Sequence, residues 1–243
     1  MAAFISFWLL FLVSLLHPQQ RQYLRLKPVV DWVLDGLGLC CQGAVIPLLQ
    51  YALLIWGYER LFPQAEGILD WHPILGFVIG FIAVDYLYYW VHRGLHRPGW
   101  FAIHAVHHTL TQMDMVSTAR NTLWSSLFLP YLWANSLMLY LLADPRGYLL
   151  AIALTYFLDL YRHSCFTVPT TSRLFALLNP WLILPQDHAT HHSRYGSGNF
   201  GANWKLWDKL HHTDTPPLAD PLPLGIDLPL TLRSKLWFPF RIR

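Results

Sequence analysis

Nine histidines carry the chemistry open to this chain. They fall in "HRGLH" (His92, His96), "HAVHH" (His104, His107, His108), the single His163 and "HATHH" (His188, His191, His192). On a helix, side chains at i, i+3 and i+4 share one face and stand about 5–6 Å apart. Two imidazoles at such a spacing can bind one metal ion or face two. If both triplets are helical and face each other beside the His92/His96 helix, they can surround a pair of ions, with the neighbours His107 and His108 turned toward different ones. A ligand set of imidazoles without thiolates suits Fe, Zn, Cu or Ni. Nine imidazoles exceed what one ion can use, so two ions follow. Neutral ligands leave such a pair strongly cationic, which favours hydroxide, oxide or activated oxygen in the remaining positions.

Other polar residues stand near these groups. Asp159 precedes His163 by four residues on the same helical face. Its carboxylate can bind a metal or fix the imidazole tautomer, and the second role is preferred. His17 and His72 each precede proline at the end of an apolar segment and read as interfacial. His211 and His212, in "KLHHT", can cap or join the site but lack the triplet spacing. The three cysteines form no CxxC pair and suggest neither a disulfide framework nor a thiolate site. No HExxH occurs, which counts against a zinc hydrolase. A metal transporter would carry its ligands inside spans along a path, and a bis-histidine haem protein would need paired histidines deep in facing spans.

The elements that must position these histidines are apolar. Of 243 residues, 54% are hydrophobic and 13% charged, against about 25% charged in an ordinary soluble domain. That composition points to a lipid environment. The net charge of +3 is dispersed, with no basic block, so nothing argues for nucleic acid as a partner. A membrane span needs about 20 apolar residues. Residues 37–56, 74–91, 123–143 and 147–161 are the candidates, with a tight turn at "DPR" (144–146). Residues 2–16 are short for a span; without a positive n-region or an A-x-A site they read as retained. With these five as spans, Arg60 and Arg146 lie on one side and the other fifteen Lys/Arg on the opposite, cytoplasmic side. Residues 92–122 and those after 162 then share the cytoplasmic face. Residues 174–184 are expected along the interface, and the Pro-rich stretch 215–230 is expected to be irregular, closing over the domain or packing on its surface. The fold expected is all-α: an integral membrane bundle of four to five spans with a cytoplasmic-side helical, histidine-rich metal cap. It divides into N-terminal membrane segments (1–72), a catalytic domain (73–213) and a tail (214–243), forming one structural unit.

Three stretches together resemble a known family. "DYLYYWVHRGLHRPGWFAIHAVHH" (85–108), "RHS" (162–164) and "HATHHSRYGSGNFGANWKLWDKL" (188–210) are similar to the core blocks of the fatty acid hydroxylase and sterol desaturase superfamily, membrane-bound non-haem di-iron oxygenases, and the resemblance covers residues 73–213. It implies a cytoplasmic-side di-iron centre that activates O2, the co-substrate, and attacks an unactivated C–H bond of a membrane lipid. The nine histidines carry over as ligands of two Fe ions, which Zn can replace in purified protein. Asp85 carries over as the residue that orients His92, with a hydrogen bond to a tyrosine such as Tyr89 as the alternative; Asn199, Trp207 and Asp208 carry over as residues that shape the site or pack. Two departures stand out. Where some members have HxxxH this chain has "DLYRH", so a tenth ligand is absent or replaced by Asp159, and the usual aromatic-glycine after WD is here "LHH". The implied reaction is hydroxylation of an amphipathic lipid (fatty acyl, sterol, or a related isoprenoid or ether lipid) entering laterally. Desaturation is the rival, since it begins with the same hydrogen abstraction. The sequence holds no cytochrome-like domain, flavin fingerprint or cysteine cluster, so a separate ferredoxin- or cytochrome-type donor and its reductase are expected. Arg93, Arg97, Lys205 and Lys209 are a possible docking surface for that donor. The sequence carries no signal for an oligomeric state.

Overall fold

Two long apolar helices frame the computed structural model, which describes residues 2–194, 196–217 and 223–240. In chain order the helices are α1 (Ala2–Leu16), α2 (Pro18–Leu26), α3 (Val29–Leu61), α4 (Pro73–Leu95), α5 (Pro130–Leu141), α6 (Arg146–Arg162), α7 (Arg173–Leu178), α8 (Pro185–His191), α9 (Leu206–Leu210) and α10 (Leu232–Trp237). The described residues contain no strand, only isolated bridges. The described residues are therefore all-helical, the fold class expected from the apolar segments.

Among the described residues only α3 and α4, of 33 and 23 residues, are both long and apolar enough to cross a bilayer. At 1.5 Å per residue they reach about 50 Å and 35 Å. Just 6% of the apolar window of α3 is buried within the protein, and Val33, Val45, Leu48 and Trp56 stand exposed along it. An apolar surface of that length belongs in lipid rather than water. The other apolar segments make shorter helices: 15 residues in α1, 12 in α5 and 17 in α6. Residues 123–143 are thus not one helix. Pro130 occupies the first turn of α5, and the residue before a proline is driven out of the helical region; Leu129 accordingly sits at φ −79°, ψ 142°. Upstream, Ser125–Leu127 form only a 3-10 turn.

α4 and α6 begin at the same end of the bundle and run side by side. Gly147 packs so tightly on Pro73 that a Cβ there would lie 1.7 Å from the Pro73 carbonyl oxygen. At this end the loop after α3 is tied to the end of α5, with Gly67 N–H donating to Tyr140 O at 3.0 Å and Leu69 N–H to Leu141 O at 2.9 Å. The opposite ends of α4 and α6 deliver His92, His96 and His163. A buried core of Leu10, Leu24, Met115, Val116 and Leu160 joins α1 and α2 to α6. His72 caps α4, its Nδ1 accepting from Ile74 N–H, and His17 lies edge-on to Phe166.

Part of the Pro-rich stretch, 218–222, lies outside the described residues. Beyond it the chain returns over the histidines: Gly225 N–H donates to His192 O at 3.0 Å and Ile226 N–H to His108 O at 2.8 Å. Of the two expected placements, the tail takes the closing one.

Candidate metal centre

Helix ends aim most of the histidines. His92 lies in the last turn of α4 and His96 is its C-cap; His163 caps α6; His188 and His191 lie on α8 and His192 caps it. Pro185 opens α8, and the Asp187 carboxylate accepts from Leu184 N–H at 2.9 Å. The first triplet departs from the helical expectation. His104 follows a 3-10 turn (Phe101–Ile103), and His107 opens another (His107–Thr109). "HAVHH" is therefore a tightly coiled loop, with room for its rings to diverge.

The nine imidazoles converge into two adjoining groups. His92, His96, His104, His108 and His191 form one; His107, His163, His188 and His192 form the other, and within each the candidate ligand atoms lie within 4.8 Å of one another. Both triplets are split between the groups. His108 and His192 bridge them, with ring centroids 4.5 Å apart.

Main-chain carbonyls fix several tautomers. Nδ1–H of His92 donates to Phe200 O (2.8 Å), of His107 to Arg120 O (3.1 Å), of His163 to Asp159 O (2.8 Å) and of His191 to Gly198 O (2.7 Å). With Nδ1 protonated, each Nε2 presents a lone pair. The Nε2 atoms of His107 and His163 face each other at 3.4 Å. Two lone pairs at that range repel unless a cation lies between them. His92 and His104 Nε2 approach to 3.0 Å, as do His163 and His188 Nε2. The buried Nε2 atoms of His96, His108 and His191 have no hydrogen-bond partner among the described residues. The donor set therefore fits metal ions. Burial, reinforced by neighbouring imidazoles, holds His104, His107, His108, His188 and His192 far below the ordinary histidine range. It lowers His191 to about 4 and His96 to about 2. Such rings are neutral at neutral pH, the form that binds metal.

Comparison with known proteins identifies the family. The family model described as fatty acid hydroxylase matches residues 77–213, more than half of the chain. The chain belongs to the fatty acid hydroxylase family. It is 30% identical over 163 residues to an ornithine lipid hydroxylase of Rhizobium tropici, covering 65% of this chain and 47% of that protein. It is 27% identical over 147 residues to a methylsterol monooxygenase of Aspergillus fumigatus, covering 58% of this chain and 47% of that protein. The chain thus spans about half the length of these relatives. No solved structure matches.

In this fatty acid hydroxylase family member, the conspicuous "NFG…WD" residues act on the histidines through the main chain. Asp208 accepts from Phe200 N–H and Gly201 N–H, both at 2.8 Å, and from the Thr213 hydroxyl at 2.7 Å. Burial pushes its carboxyl up to about 6. Asn199, at φ +53°, donates through Nδ2 to Asp187 O and Thr215 O. These bonds set the Phe200 and Gly198 carbonyls that hold His92 and His191. Asp85 accepts from Asn203 N–H (2.8 Å), Trp204 N–H (3.2 Å) and Trp207 Nε1–H (2.8 Å). It touches neither His92, whose Nδ1–H is taken by Phe200 O, nor Tyr89; it pins the 199–208 loop to α4.

Asp159 stands behind the His163 ring, 3.3 Å from Nδ1 and paired with Arg162 at 2.5 Å. It belongs to neither group. His211 and His212 also belong to neither: His211 pairs with the Tyr86 hydroxyl at 3.0 Å and stacks on Tyr89, and His212 sits in the left-handed region at φ +54°. The expected basic surface is smaller than its residues suggest. Lys205 is buried in an ion pair with Asp187 and Arg93 is half-buried, donating to the Tyr89 hydroxyl at 3.0 Å, while Arg97 and Lys209 are exposed, Lys209 donating to Pro180 O.

Sequence reasoning missed a buried charge cluster at the start of α3. Arg120 clasps Asp35 through Nε (2.6 Å) and Nη2 (3.0 Å) and reaches Asp31 (3.3 Å), while Lys27 pairs with Asp35 and with Asp114 (3.0 Å). The available signal was Asp31 and Asp35, one turn apart, entering an apolar helix, where ionisable residues are costly and functional by default.

Proposed function

We propose that this chain is a membrane-embedded lipid hydroxylase whose nine histidines hold two iron ions, five rings on one and four on the other. The observation that carries the reading is the pair of adjoining imidazole groups, in which His92, His107, His163 and His191 are held at Nδ1 by main-chain carbonyls and so present Nε2 lone pairs. Bound there, the ions supply the activation of O2 toward a C–H bond. The protein's part is to keep the rings neutral, fix their tautomers through the carbonyls of Phe200, Arg120, Asp159 and Gly198, and exclude bulk water by burial. The names of the relatives support a lipid substrate. The exposed apolar length of α3 and α4 supports lateral entry from the bilayer, and the distribution of Lys and Arg supports a cytoplasmic metal end. Electrons come from a separate ferredoxin- or cytochrome-type donor and its reductase, docking near Arg93 and Arg97.

Anaerobic purification with metal quantification tests the reading. Two irons per chain are expected, with Zn in their place after aerobic handling; one iron or none in protected protein would sink it. Lipid profiling of cells expressing wild type or His191→Ala then identifies the product. A gain of one oxygen that depends on His191 supports hydroxylation, whereas loss of two hydrogens identifies a desaturase.

A further inference from the structure

A cleft of about 170 Å3 opens where the joint between α2 and α3 meets the segment that follows the first histidine triplet. Its polar walls are Lys27, Asp31, Thr111, Gln112, Asp114 and Arg120. Around it, among the described residues, the carboxylates of Asp31, Asp35 and Asp114 pair with the cations of Lys27 and Arg120, three acids against two bases. The surplus has an outlet: the Asp31 side chain is 19% exposed and only distantly bonded, whereas Asp35 is sealed behind it. A second deficit has the opposite sign. Arg120, 2% exposed, has a buried Nη1 that donates to nothing among the described residues. Asp114 is already filled by Lys27 and by the Val116 and Ser117 amides, so one ligand satisfies both deficits if it brings a cation for Asp31 and an oxygen acceptor for Arg120. Buried polar and charged groups left without such partners are costly.

The cleft's place in the fold says where that ligand comes from. Lys27 immediately precedes Pro28, the N-cap of the apolar α3, so the cleft lies at the boundary between polar and apolar surroundings, where lipid headgroups sit. It also adjoins the candidate metal centre. Leu110, in its wall, is two residues beyond His108, and Arg120 holds His107 through its own carbonyl.

We propose that this cleft binds the headgroup of a zwitterionic lipid of the acyl-amino-acid type, its ammonium against Asp31 and its carboxylate or carbonyl oxygen on Arg120. The proposal deepens the lipid hydroxylase reading and rests on it for the identity of the ligand as substrate. The headgroup, not the chain alone, selects what is presented to the metal-binding segment.

The test is calorimetric binding to the full chain in maltoside micelles, held anaerobically, with the metal content of the same sample measured. The ligands are Nα-dodecanoyl-lysine, its Nε-acetyl derivative, dodecyl phosphate and free lysine. Nα-dodecanoyl-lysine is expected to bind, with Nε-acetylation weakening it about tenfold or more, the scale of one charge-assisted hydrogen bond. Asp31→Asn, which leaves the Arg120–Asp35 clasp intact, is expected to erase most of that discrimination. Equal binding of the three amphiphiles, or no binding of any, overturns the proposal. Tighter binding of dodecyl phosphate overturns it in favour of an anionic head, and binding of free lysine as strong as that of its acyl derivative overturns the lipid assignment. The wild-type panel decides even if the variant proves unstable. Binding and metal content are separate readouts, so headgroup discrimination without iron would sink the hydroxylase reading alone, and two irons without discrimination would sink only this one.

Discussion

Replacing Asp35 by Asn separates the stability of the charge cluster from its hold on the histidines. Asp35 is fully buried and meets Arg120 at 2.6 Å and 3.0 Å. Removing one partner of a buried ion pair costs about 3–5 kcal/mol, because the other charge is stranded. Here Asp31 stays 3.3 Å from Arg120 and Asp114 stays 3.0 Å from Lys27. Each cation keeps one carboxylate, so neither is stranded and the expected loss falls below that range, to about 1.5–3 kcal/mol, the scale of hydrogen bonds to a charged group. The effect on metal binding should be one-sided. Arg120 O holds His107, in the four-histidine group, whereas His92 and His191, in the five-histidine group, hang from Phe200 and Gly198. Loosening an outer partner of a ligand typically weakens metal affinity by about 10–100-fold. Denaturant unfolding in micelles gives the first quantity, and an anaerobic two-site iron titration gives the second. The Asp35→Asn/Arg120→Met double variant should cost less than the sum of the two single changes. Wild-type stability with both irons bound as tightly as before would refute the argument, and so would equal weakening of the two ions.

Three further outcomes follow from the geometry. His212→Gly should raise stability by about 1 kcal/mol, the usual cost of a side chain in the left-handed region; an unchanged or lower unfolding midpoint would show that the His212 ring repays its strain. Metal-free protein should lose stability as pH falls below about 6.5, because the unfolded histidines take up protons that the folded ones refuse. His191 contributes about 1.4 kcal/mol per pH unit to that loss until its folded pKa of about 4 is reached, and a flat stability profile between pH 6.5 and 4.5 would contradict the burial of neutral rings. Asp208→Ala strands the amides of Phe200 and Gly201, at about 1–3 kcal/mol each, and should weaken iron in the five-histidine group through His92, as equilibrium unfolding and iron titration would report.

The histidines were legible because their spacing is short-range. His92 with His96, and His188 with His192, are brought together by helical periodicity, while His191 on the same helix turns to the other group. The first triplet has the same spacing but not the same conformation, since its contacts are set by a loop packed under the returning tail. Asp85 was placed correctly on α4 and given the wrong partner, because its real partners, Asn203, Trp204 and Trp207, lie more than a hundred residues away. The Asp35–Arg120 pair is 85 residues apart, and each member read alone resembles an ordinary charge beside an apolar segment. Hydropathy located the apolar stretches but overestimated the helical length of residues 123–143, where one proline outweighs the average.

The backbone bonds from Gly225 to His192 and from Ile226 to His108 come from beyond residue 213, where the family match ends. Asp35, on the other flank, lies before it begins. A fragment cut to the matched region would keep every candidate ligand and lose the clasps on both triplets. The unit to express, shuffle or graft is therefore wider than the stretch that identifies the family, and chimaeras joined at residues 77 and 213 should retain the histidines while losing much of the order that makes them a site.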